Sequence, residues 1–157
     1  MRFYILAVGN KMPSWITNGY LEYVKRLSNE FPIKLIEIKP EKRVNSKKIE
    51  QILQVERARI EAAIPAGCRI VALDESGKQW STLKFSNEIL NWKDTGNNIA
   101  FVIGGADGLH VEIKSKAHNV LALSALTLPH GFVRVLLAEQ LYRAVSIIKQ
   151  HPYHRGS

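Results

Sequence analysis

The chain has 157 residues, and its 22 basic and 14 acidic side chains give it a formal net charge of +8. Hydrophobic residues make up 46% of it and charged residues 23%, which excludes an intrinsically disordered chain and predicts one globular domain over residues 1–157. No apolar run approaches the roughly 18 residues of a membrane span, and the single cysteine, Cys68, excludes a disulfide framework, so we expect a cytoplasmic protein without a membrane partner.

Five short runs of β-favouring residues predict five strands along the chain. These are Phe3–Val8, Ile33–Ile38, Arg69–Leu73, Ile99–Ile103 and Val120–Leu123. The first run is followed by Lys11 and Pro13 and not by a small-residue cleavage site, which favours a strand over a signal peptide. The polar stretch Asp74–Lys78 after the third run is expected to be a loop.

Apolar residues at helical spacing predict a helix after each strand. The expected helices are one capped by Ser14 with apolar positions as far as Leu27, one capped by Asn45 or Ser46 and ended by Pro65, one around Leu83–Leu90, a short one at Val111–Ala117 and a long one at Phe132–Lys149. Strands that alternate with helices indicate an α/β fold, a mainly parallel sheet with helices on both faces.

The last predicted helix carries more apolar residues than one face can hold. Twelve of the 19 residues in Gly131–Lys149 are apolar, which indicates a helix buried on two sides. One side would face the sheet and the other a second copy of the chain, so we favour a homodimer over an unusually enclosed core helix. Glu139 and Arg143 lie four residues apart, and this spacing predicts a salt bridge within the helix.

The positive charge is concentrated in two stretches. Five basic residues lie in Lys39–Lys48 against a single acid, Glu41, and no acidic residue follows Gln140. From charge alone, a solvated surface and a polyanion-binding surface both explain this pattern. The second fits because lysine and arginine near phosphates release condensed counterions.

Three loops with unusual sequences follow the third, fourth and fifth predicted strands. The first begins with Leu73-Asp74, the second is Gly104–Gly108, and the third is Leu123–His130. Ligands in open α/β sheets bind beyond the carboxyl ends of the strands, so a ligand site is expected at these loops. Neither the G-x-G-x-x-G fingerprint of dinucleotide-binding folds nor a P-loop occurs, which argues against those two classes of site.

The Leu123–His130 loop is largely apolar, although loops normally lie in water. An irregular loop that is buried must satisfy its backbone donors and acceptors. Two explanations stay open. Either Ser124 and Thr127 cap the loop with their side chains, or a ligand such as an adenine ring binds to its main chain in an apolar cleft.

The C-terminal stretch His151–Arg155 is rich in aromatic and titratable groups. Arginine can hold a phosphate, tyrosine can stack on a base, and histidine can exchange a proton near neutral pH. His151 and His154 have no carboxylate or cysteine near them in sequence, so they make a weak metal site, and we expect no metal. His110 and His118 are interpreted as surface residues.

Five stretches, in order along the chain, carry a resemblance to one protein family. They are Ala7–Pro13, Leu73–Lys78, Ile103–Gly108, Leu123–His130 and His151–Arg155. Together they resemble the bacterial 23S ribosomal RNA pseudouridine N3-methyltransferases, minimal members of the SPOUT class, and the resemblance covers essentially the whole chain. It implies a trefoil knot in the C-terminal part, a homodimer, S-adenosylmethionine as cofactor and, as substrate, a pseudouridine of 23S rRNA in the assembled ribosome.

The resemblance also assigns residues to the cofactor. The implied cofactor-binding residues are Leu73, Gly104, Gly105, Leu123, Ser124, Ala125, Leu126, Thr127 and Leu128. A bulky side chain at Gly105 is therefore expected to fill the cofactor pocket. The chain departs from the family at its end, where Gly156-Ser157 stands in place of an acidic finish.

The implied reaction suggests four catalytic residues, His130, Tyr153, His154 and Arg155. The cofactor's sulfonium already activates the methyl group, so neither a metal nor a covalent intermediate is expected, and catalysis depends on placing the pseudouridine N3 behind the methyl carbon. A histidine or the tyrosine of this set would accept the N3 proton or hold the base. The arginine would neutralise a phosphate or stabilise the imide anion.

Two other functions stay open at this point. One is a non-enzymatic, ribosome-associated RNA-binding factor that uses the basic surface without a cofactor. The glycine-rich and apolar loops argue against it, because such a factor has no need of an adenine cleft. The other is a SPOUT methyltransferase that acts on another rRNA nucleotide or on transfer RNA.

Overall fold

A five-stranded parallel sheet forms the centre of the computed structural model, which describes residues 1–155. Its strands are β1 (Phe3–Val8), β2 (Ile33–Ile38), β3 (Arg69–Gln79), β4 (Ile99–Ile103) and β5 (Asn119–Ala122). Their order across the sheet is β2-β1-β4-β3-β5, and every neighbouring pair is parallel. The bounds of β1, β2 and β4 agree with the sequence predictions residue for residue.

Helices cover both faces of this sheet. Within residues 1–155 they are α1 (Ser14–Val24), α2 (Ile49–Ala63), α3 (Thr82–Asp94), α4 (Val111–Lys116), α5 (His130–Ile148) and a 3-10 turn at Pro152–His154. Side chains of β1 alternate between the faces: Phe3 and Ile5 pack with α1, α3 and α5, whereas Leu6 and Val8 pack with α2 and α4. The predicted α/β class is therefore confirmed, while the trefoil knot stays a prediction. None of these helices is both long and apolar enough to cross a bilayer.

The predicted loop after β3 is wrong, because Asp74–Lys78 belongs to the strand, which runs to Gln79. β5 pairs with β3 on both sides of a bulge within this stretch. Gly77 permits the second pairing, since a Cβ at this position would lie 2.6 Å from the carbonyl oxygen of Val120. The bulge leaves polar side chains beside the loop that follows β4.

Two predicted helix caps are also wrong, the one at Ser14 and the one at Asn45 or Ser46. α1 begins directly after Pro13, and α2 begins after Lys48, whose N–H donates a hydrogen bond to Gln51 Oε1 at 3.0 Å. The segment before α2 is irregular because a tertiary contact holds it: Arg59 donates to the Lys39 carbonyl oxygen at 2.9 Å. The other predicted helix and strand ends lie within four residues of the observed ones.

One side of α5 packs inside the fold, and its beginning leaves aromatic surface exposed. Leu137 and Leu141 are fully buried, whereas Phe132 is 37% exposed. The ring of Trp15, which is 59% exposed, lies 6.4 Å from the Phe132 ring. Exposed aromatic side chains in contact with one another are typical of an interface with a partner. The homodimer stays a prediction that this surface fits.

Candidate functional site

A cavity of about 360 Å³ opens where β3, β4 and β5 approach their carboxyl ends. Its walls come from the stretches 73–75, 103–108 and 121–128 and from His130 and Val133 of α5. Within these stretches, residues 122 and 125 do not line the cavity. The parallel sheet brings the three predicted loops together here, because neighbouring strands end at the same edge. The volume lies within the range of small-molecule sites.

The Gly104–Gly108 loop turns back on itself so tightly that a side chain at its first position has no room. A Cβ on Gly104 would clash with the carbonyl group of Gly108, and the Gly108 N–H donates to the Gly105 carbonyl oxygen at 3.1 Å. At Gly105, a Cβ would instead lie 3.0 Å from Val8 Cγ1, within the core. A side chain at this position therefore starts against Val8, and the expectation that a bulky one fills the cavity stays a prediction.

The apolar Leu123–His130 loop fits both explanations left open by the sequence. The Leu126 N–H donates to Ser124 Oγ at 2.9 Å, and Thr127 Oγ1 donates to Glu75 Oε2 at 2.6 Å, which ties the loop to β3. The loop also forms a wall of the cavity. Its lining residues are Leu123, Ser124, Leu126, Thr127 and Leu128. Ala125 is exposed and does not line the cavity.

Three carboxylates line the cavity although the chain is strongly basic: Asp74, Glu75 and Asp107. Burial of Asp74 favours its neutral form, but hydrogen bonds from Ser76 and the charge of Lys114 outweigh burial and hold the pKa of Asp74 below its usual value. The Lys114 ammonium lies 3.6 Å from this carboxylate. None of these three acids was among the residues assigned to the cofactor or to catalysis from the sequence.

His130 is the one predicted catalytic residue that lines the cavity. Its side chain is half-buried at the start of α5, and its Nδ1 has no hydrogen-bond partner within residues 1–155. Burial lowers the pKa of His130, and the positive charges of Arg134 and Arg43 lower it further, while Glu56 opposes them. The His130 Nδ1 is buried, and a neutral imidazole is able to accept a proton through an accessible ring nitrogen.

The tail residues pack against the later part of α5. The Tyr153 hydroxyl donates to Glu139 Oε1 at 3.2 Å, and its ring lies 4.4 Å from that of Tyr142. Burial and the Glu139 charge raise the pKa of Tyr153 to about 12. The predicted salt bridge between Glu139 and Arg143 is confirmed, with an N–O distance of 2.6 Å.

This packing separates the tail from the cavity of the same chain. Glu139, which holds Tyr153, lies nine positions after His130 in a continuous helix, a distance of about 13 Å along the axis at 1.5 Å per residue. His154 and Arg155 follow directly. One chain therefore holds its four predicted catalytic residues in two places.

The prediction that His110 lies at the surface is wrong. The residue is 5% exposed, its Nδ1 accepts the Glu112 N–H at 3.0 Å, and its Nε2 lies 3.0 Å from Glu50 Oε1. It thus caps α4. His118 is exposed, as predicted. Within the described range 1–155, no three histidine, cysteine or acidic side chains are grouped so that they could hold a metal ion.

Comparisons with known proteins agree with this architecture. Residues 1–154 match the family model described as "Predicted SPOUT methyltransferase". The protein "Ribosomal RNA large subunit methyltransferase H" of Nitrosomonas eutropha is 59% identical over 156 residues, which cover 99% of this chain and 100% of that protein. The protein of the same name from Nitrosospira multiformis is 57% identical over the same length and with the same coverage.

Solved structures share the fold at low sequence identity. A probable methyltransferase from Bordetella pertussis has a TM-score of 0.58 at 15% identity, covering 92% of this chain and 95% of that chain. A probable methylase family protein from Haemophilus influenzae has a TM-score of 0.57 at 13% identity, covering 97% of this chain and 69% of that one. With a family match over almost its whole length, this chain belongs to the SPOUT methyltransferase family.

Proposed function

We propose that this chain is an S-adenosylmethionine-dependent methyltransferase that methylates N3 of a pseudouridine in 23S rRNA, acting on assembled ribosomes in the cytoplasm. The observation that carries the proposal is the cavity between the bulge of β3 and the ends of β4 and β5, in a chain 59% identical to a protein named as a large-subunit rRNA methyltransferase. A non-enzymatic RNA-binding factor has no use for such a cavity.

The residues around the cavity suit the proposed cofactor. Leu73, Gly104, Gly105 and the lining residues of the 123–128 stretch offer an apolar wall and accessible main chain to an adenosyl group. The three carboxylates offer negative charge to a cationic ligand. When bound, S-adenosylmethionine supplies a methyl group that its sulfonium has already activated.

The chain's own part in the transfer is to position the base and to remove its proton. His130 lines the cavity, and its lowered pKa keeps the imidazole neutral, which supports it as the acceptor of the N3 proton. Tyr153 and His154 are proposed to hold the base, and Arg155 to neutralise a phosphate.

A second copy of the chain is needed to complete this site. The tail lies about 13 Å along α5 from the cavity of its own chain, so we infer that it serves the cavity of a partner in a two-fold homodimer. The exposed pair Trp15 and Phe132 near the start of α5 supports an interface at this end of the molecule.

The rate of methyl transfer is expected to fall as the pH drops through a midpoint below 6.5, the ordinary pKa of histidine. A base acts in its neutral form, and a lowered pKa keeps His130 neutral to lower pH. His130→Asn is expected to slow transfer by about 10²- to 10⁴-fold and to abolish the fall in rate at acidic pH. Single-turnover rates across the pH range test it, with the exposed His118→Asn as control. If the rate of His130→Asn falls at acidic pH with the same midpoint as that of the unsubstituted protein, another group is the base.

Charge reversal in the basic segment is expected to weaken binding to the ribosome. The exposed Lys42 and Lys48 lie in the segment 39–48, which Arg43 joins to the cavity loop through a 2.8 Å hydrogen bond to Asp107. Losing two phosphate contacts should lower the slope of log affinity against log salt by about 2. The double variant Lys42→Glu/Lys48→Glu is measured over a salt series.

A matched control places the same two reversals at the opposite edge of the sheet, at Lys25 and Lys116, which are also exposed. It is expected to retain most of the affinity. Equal effects of both double variants would mean that only net charge matters and that segment 39–48 is a solvated surface.

The proposed activity is tested by supplying purified protein with a labelled methyl donor and, separately, assembled ribosomes, free subunits and naked 23S rRNA. Mass spectrometry then maps the methylated nucleotide. We expect one N3-methylated pseudouridine, formed only with assembled ribosomes. Binding without methyl transfer would favour the RNA-binding factor, and a different nucleotide would favour another SPOUT substrate.

A further inference from the structure

Glu56 is a buried carboxylate that the proposed mechanism leaves unused. It lies on α2 between Ile52 and Ile60, on the face that packs onto the sheet, and it is 1% exposed. Its Oε2 accepts the Glu41 N–H at 3.0 Å, whereas its Oε1 has no hydrogen-bond partner within residues 1–155. A buried carboxylate without a full set of partners is costly, so its presence calls for a physical reason.

The unpartnered oxygen lies behind the wall of the cavity. Gly105 lines the cavity with its main chain, and a Cβ built on this glycine would lie 3.9 Å from Glu56 Oε1. The charge of Glu56 also acts on His130, another lining residue, where it opposes the lowering of the pKa. Glu56 is therefore close enough for its charge to be felt in the cavity.

Glu56 differs from the lining acids Asp74 and Asp107 because, in the described part of the chain, it forms no ion pair with a basic side chain. Asp107 forms an ion pair with Arg43, and Asp74 lies 3.6 Å from the Lys114 ammonium. None of the ion pairs found within residues 1–155 includes Glu56. In a medium less polarisable than water, an uncompensated charge acts over several ångströms.

We propose that Glu56 is a specificity-determining residue whose charge, acting across the Gly105 main chain, favours a positively charged sulfonium donor over its neutral thioether product. This inference rests on the proposed function. The bound donor supplies the positive charge that Glu56 otherwise lacks. After transfer the ligand is neutral and this attraction is gone, so the product is held less tightly than the donor.

The test compares the affinities of two ligands, S-adenosylmethionine and S-adenosylhomocysteine, by calorimetry. Glu56→Gln keeps the shape and the acceptor for the Glu41 N–H but removes the charge. We expect the dissociation constant of the donor to rise about five- to tenfold and that of the product to change less than about twofold. Glu61→Gln, an exposed carboxylate on the same helix, is the matched control and should change neither.

Each other outcome has a distinct meaning. Equal weakening of both ligands by Glu56→Gln would show a purely structural role and overturn the assignment. If the unsubstituted protein binds neither ligand, the proposed function itself fails. If Glu56→Gln does not fold, Glu56→Asp is measured in its place. This variant keeps the charge, so the preference for the donor over the product should stay within about twofold of normal. Loss of that preference would refute the inference.

Discussion

Gly104→Ala is expected to reduce affinity for the methyl donor by at least about a hundredfold, because the added Cβ clashes with the Gly108 carbonyl and forces the loop to move. A displacement of about 1 Å is enough for an effect of this size at a site that depends on geometry. Overpacking of this kind also costs about 1–3 kcal/mol of stability. Calorimetric titration gives the affinity, and thermal unfolding gives the stability.

A matched control separates the two effects. Gly67 has φ +77° and nothing within 4 Å of a built Cβ, so Gly67→Ala is strained but meets no neighbour. It lies in the turn before β3, at the edge opposite the cavity, and should lose about 1–2 kcal/mol of stability while binding the donor normally. Normal donor binding by Gly104→Ala would remove the 104–108 loop from the proposed cofactor site.

Strand positions could be predicted where the local sequence alone determines the strand. β4 is a run of five apolar residues, all buried, between polar loops, and its bounds were predicted correctly. The extension of β3 through Asp74 and Gly77 has its cause elsewhere, in the pairing with β5. Polar residues in a strand give no local signal of a partner that lies more than forty positions away in the chain.

The predicted start of α2 was wrong for a related reason. Asn45 and Ser46 are good capping residues by type, but the chain before α2 is held by Glu56 and Arg59, which lie on α2 itself. These bonds form only once the fold exists, so tertiary contacts override the local capping preference.

The position of the site could be predicted, but its charge could not. Parallel strands made the loops after β3, β4 and β5 the expected place for a ligand. Whether an acid such as Asp74 faces that place depends on the bulge in β3, and the burial of Glu56 depends on how α2 packs. The sequence also grouped the tail with His130 by chemistry, whereas the length of α5 separates them within one chain.

Co-expression of two inactive variants is expected to restore about a quarter of the normal methyl transfer. Gly104→Ala damages the cavity, and His154→Ala damages the tail, slowing transfer about 10²- to 10⁴-fold while leaving donor affinity within about twofold. If the tail serves the partner's cavity, a mixed dimer has one site with both defects and one with neither. Random pairing makes about half of the dimers mixed, so about one site in four is intact.

The reverse arrangement provides the control. The double variant Gly104→Ala/His154→Ala, co-expressed with the unsubstituted chain, puts both defects in one protomer. With a shared site, each cavity of a mixed dimer then lacks one part, and activity comes only from about a quarter of the dimers, those with two intact chains. If each tail served its own chain, this mixture would give about half of the normal activity and the first mixture almost none, and the two-chain site would be refuted.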